Sequence, residues 1–147
     1  MPCKMAALVN PANKASGVAL VYDGLVLLGK RAASVNGITP GFPLYWSIFG
    51  GALEAHETLP ECAARELYEE TKIRINPSAL TLLGSVHNLK TELSIYRGLS
   101  QGLITPTLNN EHTEYGWFKI DFLHAFTEKI DEKIVDLLVN APAHSLR

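Results

Sequence analysis

The sequence predicts an α+β domain, with helices layered on a mixed β-sheet in an α/β/α arrangement. Three observations carry this reading. Two β-rich runs flank Asp23-Gly24, one strongly patterned helix runs from Leu59 to Thr71, and further strand-like runs follow it without regular βαβ alternation, which disfavours a doubly wound sheet. With 147 residues and 47% apolar content, the chain reads as a single domain over 1–147 that can bury a substantial core.

The elements follow in chain order. "ASGVALVYDGLVLLGKRA" places strands near 16–22 and 25–31 around Asp23-Gly24, a pair suited to the positive φ angles of a tight hairpin. "ASVNGITPGFPLYW" holds two Pro and two Gly and reads as a loop bordering a ligand site. "YWSIFGG" is a short strand running into a double glycine. Thr58 and Glu61 have the spacing of a capping box before the helix, and Pro60 is tolerated in its first turn. Strands are expected near 81–88, 92–99 and 114–120, and a last helix near 127–139, where Ile130, Ile134, Leu137 and Leu138 share a face.

The stretch "GALEAHETLPECAARELYEETKI" is acidic at six of its twenty-three positions. With Glu66 at zero on a helical wheel, Glu70 falls near roughly +40° and Glu69 near roughly −60°, on the side that carries Leu59, Cys62, Ala63 and Ile73. Glu61, Ala64 and Tyr68 lie opposite. A Glu-rich helix is most often a solvated face, but here the three acids continue the apolar stripe. Carboxylates so placed repel one another and lose hydration unless cations compensate, and Arg65 neutralises only part of the charge. Oxygen ligands at this density suit Mg²⁺ or Mn²⁺ rather than zinc. Gly50-Gly51 just before the helix lets the backbone approach a ligand and offers carbonyl oxygens.

Other classes are disfavoured by composition. A net charge of −2, with no run of Lys or Arg longer than two, gives no footprint for long nucleic acid. No apolar stretch is long enough to span a bilayer, and "MPCKMAALVNPANK" lacks a signal-peptide pattern. A soluble, cytoplasmic protein is expected. Cys3 and Cys62 suggest neither a disulfide framework nor a zinc site, and Cys62 reads as a small core residue.

The acidic stretch resembles the Nudix box, G-x5-E-x7-R-E-U-x-E-E-x-G-U, where U is a bulky aliphatic residue. Gly51, Glu57, Arg65, Glu66, Leu67, Glu69, Glu70 and Ile73 match eight of the nine fixed positions. Lys72 stands where the family has Gly, so an altered helix exit is expected, with the chemistry retained. The order of hairpin, "YWSIFGG" entry, late "EHTEYGWFKIDFL" and final helix extends the resemblance over nearly the whole chain.

The resemblance implies an α/β/α sandwich and Mg²⁺-dependent hydrolysis, with Mn²⁺ a substitute, of a small nucleoside diphosphate derivative: a nucleoside triphosphate, dinucleoside polyphosphate or nucleotide sugar. It assigns Glu66, Glu69 and Glu70 to metal, with the Gly50 carbonyl as a further ligand, and Glu57 and Arg65 to bracing the acids. The general base is left among Glu66, Glu111 and Glu114, with Glu111 preferred as base or extra ligand. The run Glu111, His112, Tyr115, Trp117 is similar to members acting on dinucleoside polyphosphates or on pterin and nucleoside triphosphates. Trp117 reads better as packing at a strand start. Phe42, Tyr45 and Tyr96 are candidates to stack on a base, and Lys90 and Arg97 to meet phosphate. A Nudix-fold sensor that binds a nucleotide without cleaving it is the alternative, and the retained acids favour the enzyme. An mRNA-decapping role is disfavoured without a basic surface or extra domain. Oligomeric state is not legible, a homodimer being one option.

Overall fold

The computed structural model describes residues 13–88 and 90–142. Cys3 and most of the N-terminal segment read for a signal lie outside these residues. Seven strands form one mixed sheet: β1 (Asn13–Tyr22), β2 (Leu25–Arg31), β3 (Trp46–Ser47), β4 (Phe49–Ala52), β5 (Thr81–His87), β6 (Thr91–Leu99) and β7 (His112–Lys119). Among the described residues two α-helices accompany them, α1 (Leu59–Thr71) and α2 (Glu132–Asn140), with 3₁₀ turns at Pro77–Ala79 and Ile120–Ala125. Strands β1 and β6 run parallel, whereas the β1–β2, β1–β4, β2–β3, β2–β7 and β5–β6 pairs are antiparallel.

The period of two in β1 builds both sides of the core. Val18 and Leu20 pack with Leu27, Phe49 and the α1 residues Ala63 and Leu67, while Ala19 and Val21 pack with Val26, Leu28, Ile95 and the α2 residues Ile134, Val135 and Leu138. The sheet therefore lies between the two helices, as an α/β/α sandwich. Asp23 and Gly24 take φ of 49° and 76°, and Tyr22 pairs with Leu25, as the two-residue hairpin requires.

The strands fall close to their expected positions, whereas the last helix begins later than 127. Residues before it are engaged with β3: the Trp46 N–H donates to the Lys129 carbonyl (2.9 Å), the Asp131 N–H donates to the Trp46 carbonyl (3.2 Å), and Ile130 bridges Trp46. Asp131 then caps the helix by accepting from the Ile134 N–H (3.4 Å). Ile130 is buried as expected, but from this bridge rather than from a helical turn.

Helix α1 has the expected limits. Thr58 and Glu61 form the reciprocal capping box, at 3.3 Å and 2.8 Å. Its exit is not altered as Lys72 had suggested. Lys72 adopts the left-handed conformation (φ 63°), its N–H donates to the Tyr68 carbonyl, and its ammonium lies 5.0 Å from the Tyr68 ring. Replacing Lys72 by Gly removes the left-handed strain, worth about 1 kcal/mol, and also the cation–π contact, worth about 0.5 kcal/mol. Lys72→Gly is therefore expected to be neutral or slightly stabilising in urea melts, with catalytic rate unchanged. A large gain in rate would show that Lys72 distorts the site.

Candidate active site

The acids of α1 are graded by depth. Glu70 is 2% exposed, whereas the side chains of Glu66 and Glu69 are 14% and 52% exposed. The wheel had set all three inward and Ala64 outward. The buried set in fact includes Ala64, Leu67, Glu70 and Thr71, so the inward face is rotated away from Glu69. Glu69 turns instead to Arg65.

Arg65 is the hub of the outer part. Its Nε and Nη2 donate to the two Glu57 carboxylate oxygens at 3.0 and 2.7 Å, and Nη1 reaches Glu66 and Glu69 at 3.3 Å. Nη2 also donates to the Ala52 carbonyl (3.1 Å), and Glu54 lies 3.5 Å from Nε. The two parallel bonds to Glu57 use the planar fork that only arginine has. Hydrogen bonding from Arg65 holds the Glu57 carboxyl down at about 2.

The inner acids stand in the opposite condition. The Gly50 N–H donates to Glu70 Oε1 (3.2 Å) and is the only hydrogen-bond partner of this carboxylate among the described residues. Burial, with Glu66 and Glu111 nearby, pushes the Glu70 carboxyl up to about 9. Burial raises Glu66 to about 7, against the pull of Arg65 and with Glu69 and Glu111 adding to the rise. Thus Glu70 feels the charges of Glu66 and Glu111, and Glu66 feels that of Glu111.

The double glycine makes this closeness sterically feasible. A Cβ on Gly51 would lie 1.8 Å from Glu66 Oε1, and one on Gly50 would lie 2.6 Å from the Ser16 carbonyl oxygen. Strand β4 therefore runs hard against both β1 and the acidic helix.

Two cavities meet here. A groove of about 900 Å³ is lined in part by Phe42, Tyr45, Asn88, Asp131 and Lys133. A smaller cavity of about 370 Å³ is lined by Val35, Asn36, Ile38, Pro40, Glu70, Glu111 and His112. Arg31 and Gly50 line both. A bulge between Lys30 and Arg31 sets Arg31 opposite His112 on β7; such bulges re-aim side chains beside functional sites. The His112 ring packs on Phe49 with centroids 4.7 Å apart, and burial, then the Arg31 charge, lower its pKa to about 4.

The structure thus gathers Glu57, Glu66 and Glu69 around the Arg65 guanidinium, and Gly50, Glu70 and Glu111 around the small cavity. Glu114 is drawn away, 3.4 Å from Lys30. Tyr96 is buried in the core beneath α1, and neither it, Lys90 nor Arg97 lines either cavity. The Trp117 indole donates to the Ile104 carbonyl (3.0 Å) and packs against the α1-side core, in keeping with its packing role. The loop read from the sequence as bordering a ligand site supplies Val35, Asn36, Ile38 and Pro40 to the small cavity, whereas Arg31 had gone unnoticed as a site residue. Arg31 carried no signal beyond its charge, because only the β2–β7 bulge brings it to the acids.

The model of the NUDIX domain matches residues 12–138.

The chain belongs to the Nudix family.

Its class is that of the pyrophosphohydrolases, which act on pyrophosphate bonds of nucleotide derivatives. Solved Nudix structures share its fold. A MutT Nudix hydrolase from Burkholderia pseudomallei is 24% identical, with 88% of this chain and 96% of that chain covered and a TM-score of 0.70. The MutT protein from Methanosarcina mazei Go1 is 20% identical over 89% of this chain and 93% of that one, with a TM-score of 0.68. An Ap4A hydrolase from C. elegans, solved as a binary complex, is 17% identical over 84% and 92%, with a TM-score of 0.59. Among the described residues, no helix is long and apolar enough to cross a membrane.

Proposed function

We propose that this Nudix protein is a Mg²⁺-dependent hydrolase of a small nucleoside diphosphate derivative, cleaving its pyrophosphate linkage by attack of water at phosphorus. The observation that carries this reading is the Glu66–Glu70–Glu111 charge cluster beside Gly50, where a groove of about 900 Å³ and a second cavity meet. Among the described residues, no three His, Cys, Asp or Glu side chains lie gathered as a ready metal-binding set. Arg65 accounts for this, since it holds Glu66 and Glu69 from one side. The donor chemistry still fits a hard divalent cation: oxygen-only ligands, one of them deeply buried, whose charges are disfavoured without compensation.

Glu66, Glu69 and Glu70, with the Gly50 carbonyl, would hold the ion. When bound, it neutralises phosphate oxygens and lowers the pKa of water. Glu57 and Arg65 keep the acids in place. Arg31 meets a phosphate oxygen where the cavities join, and Glu111 takes the proton of the attacking water on its carboxylate. Glu111 is preferred over Glu114 as base because Glu111 lines the small cavity whereas Glu114 pairs with Lys30.

A panel of nucleoside triphosphates, dinucleoside polyphosphates and nucleotide sugars, incubated with Mg²⁺, is expected to release mono- or diphosphate products. Binding without turnover of any member would replace the hydrolase by a nucleotide sensor.

The same cluster predicts a pH dependence for the metal-free protein. The folded-state pKa values of Glu70 and Glu66 are raised, to about 9 and about 7, above the ordinary 4.5, so the folded state binds more protons and their contribution to stability falls as pH rises through that range. His112 acts oppositely, but only between about 4 and 6.5. Urea midpoints in chelator should therefore fall from about pH 6.5 to about pH 9, and Mg²⁺ should flatten the profile. A flat profile in chelator would remove the charge cluster as the cause.

A further inference from the structure

Asn36 is the only asparagine in the sequence that is followed by glycine. The pair forms the tip of a two-residue turn, with φ of 51° at Asn36 and 79° at Gly37, closed by an isolated bridge in which the Val35 and Ile38 backbones exchange hydrogen bonds at 2.8 and 3.0 Å. Both residues of the tip are exposed. Gly37 has no side chain to shield its backbone nitrogen, a Cβ built there would meet open space, and its N–H makes no backbone hydrogen bond among the described residues. The nitrogen is therefore accessible. The Asn110 Nδ2 donates to Asn36 Oδ1 at 3.3 Å, and a donor on that oxygen draws charge from Cγ and supports the oxyanion that forms when the carbonyl is attacked.

We infer that Asn36 is a site of self-deamidation, through which ageing turns a neutral residue at the small cavity into an acid. The Gly37 nitrogen attacks Asn36 Cγ, its proton passing through water to the leaving amide; the new N–C bond closes a succinimide ring, the old C–N bond breaks and ammonia departs. Water then opens the ring. Cleavage on one side gives aspartate, and cleavage on the other gives isoaspartate, with the main chain routed through the former side chain. The net change is water for ammonia, with no oxidant or reductant. Ring closure requires Asn36 to leave the left-handed region, which a turn held by one bridge allows through local opening. The other asparagines precede proline, which has no N–H, or residues whose Cβ crowds the nitrogen. Asn36 lines the cavity with Glu70 and Glu111, so the new carboxylate adds a like charge there. In the isoaspartate form the main chain gains a methylene, and the turn that sets Val35 against Ile38 no longer fits. Both products oppose an anionic ligand; that consequence rests on the hydrolase reading, whereas the modification itself does not.

The test ages the full chain at neutral and at alkaline pH and maps its peptides by mass spectrometry, with isoaspartate counted by enzymatic methylation. Position 36 should gain the mass of an amide-to-acid exchange about tenfold faster than any other asparagine, faster still at alkaline pH, and Gly37→Ala should slow it by about tenfold. Dissociation constants for ADP with Mg²⁺, measured calorimetrically, should rise about threefold on ageing of the wild type and in fresh Asn36→Asp. They should stay constant on ageing of Asn36→Gln, whose longer side chain closes a larger ring slowly. If position 36 survives in the folded chain while the urea-unfolded chain converts there, the fold protects the turn and the inference fails. Conversion that leaves ADP binding unchanged removes the effect on the cavity. Conversion in a chain whose fresh form binds no ADP and turns over no nucleotide of the panel keeps the modification and removes the hydrolase reading instead.

Discussion

Glu70→Gln should lower kcat by about 10³-fold or more while making the metal-free protein more stable. The side chain is 2% exposed and its carboxylate accepts only the Gly50 N–H among the described residues. Gln is nearly isosteric and keeps that acceptor, so the fold loses no packing and no hydrogen bond. It removes a buried negative charge set near Glu66 and Glu111, and at pH 9 this should add about 1 kcal/mol or more to stability. It also removes an anionic oxygen from the proposed metal set. Steady-state kinetics with Mg²⁺ and urea melts in chelator read the two effects separately. A rate near wild type would exclude Glu70 from the metal site, and a loss of stability in chelator would contradict the charge penalty.

Arg65→Lys is the second large effect. Lysine keeps the charge but not the fork that binds both Glu57 oxygens while reaching Glu66, Glu69 and the Ala52 carbonyl. Release of Glu57 and Glu66 from their common partner should lower kcat/KM by about 10²-fold and stability by about 2 kcal/mol. The division between the kinetic constants decides the role. If Arg65 braces the acids, kcat falls and more Mg²⁺ is needed for half-maximal rate. If it touches substrate instead, KM rises and the Mg²⁺ dependence stays unchanged.

Much of this site was legible in the chain because its parts are local. Glu57, Arg65, Glu66, Glu69 and Glu70 lie within fourteen residues, and helical geometry fixes which of them are neighbours. Legibility ended where depth was concerned. The wheel orders the acids correctly around the axis, yet the face that turns inward is chosen by what packs on it, here Phe49, Val18 and Leu20 against Ala63 and Leu67. That choice buries Glu70 and leaves Glu69 to Arg65. Residues 127–131 show the same limit. They carry helical periodicity, but β3 takes their backbone groups as a bridge before a helix can.

The sequence by itself determined the strands and their alternation, the capped acidic helix and the double glycine that lets β4 pass close to it. These follow from steric and hydrogen-bonding rules acting over a few residues. Only the tertiary structure decided which acid is buried, that Glu111 rather than Glu114 joins the cluster, and that Arg31, Ile38 and His112 wall a second cavity. Those outcomes depend on a bulge in the β2–β7 ladder and on packing between segments about eighty residues apart, where burial and charge act through space and local propensity carries no information.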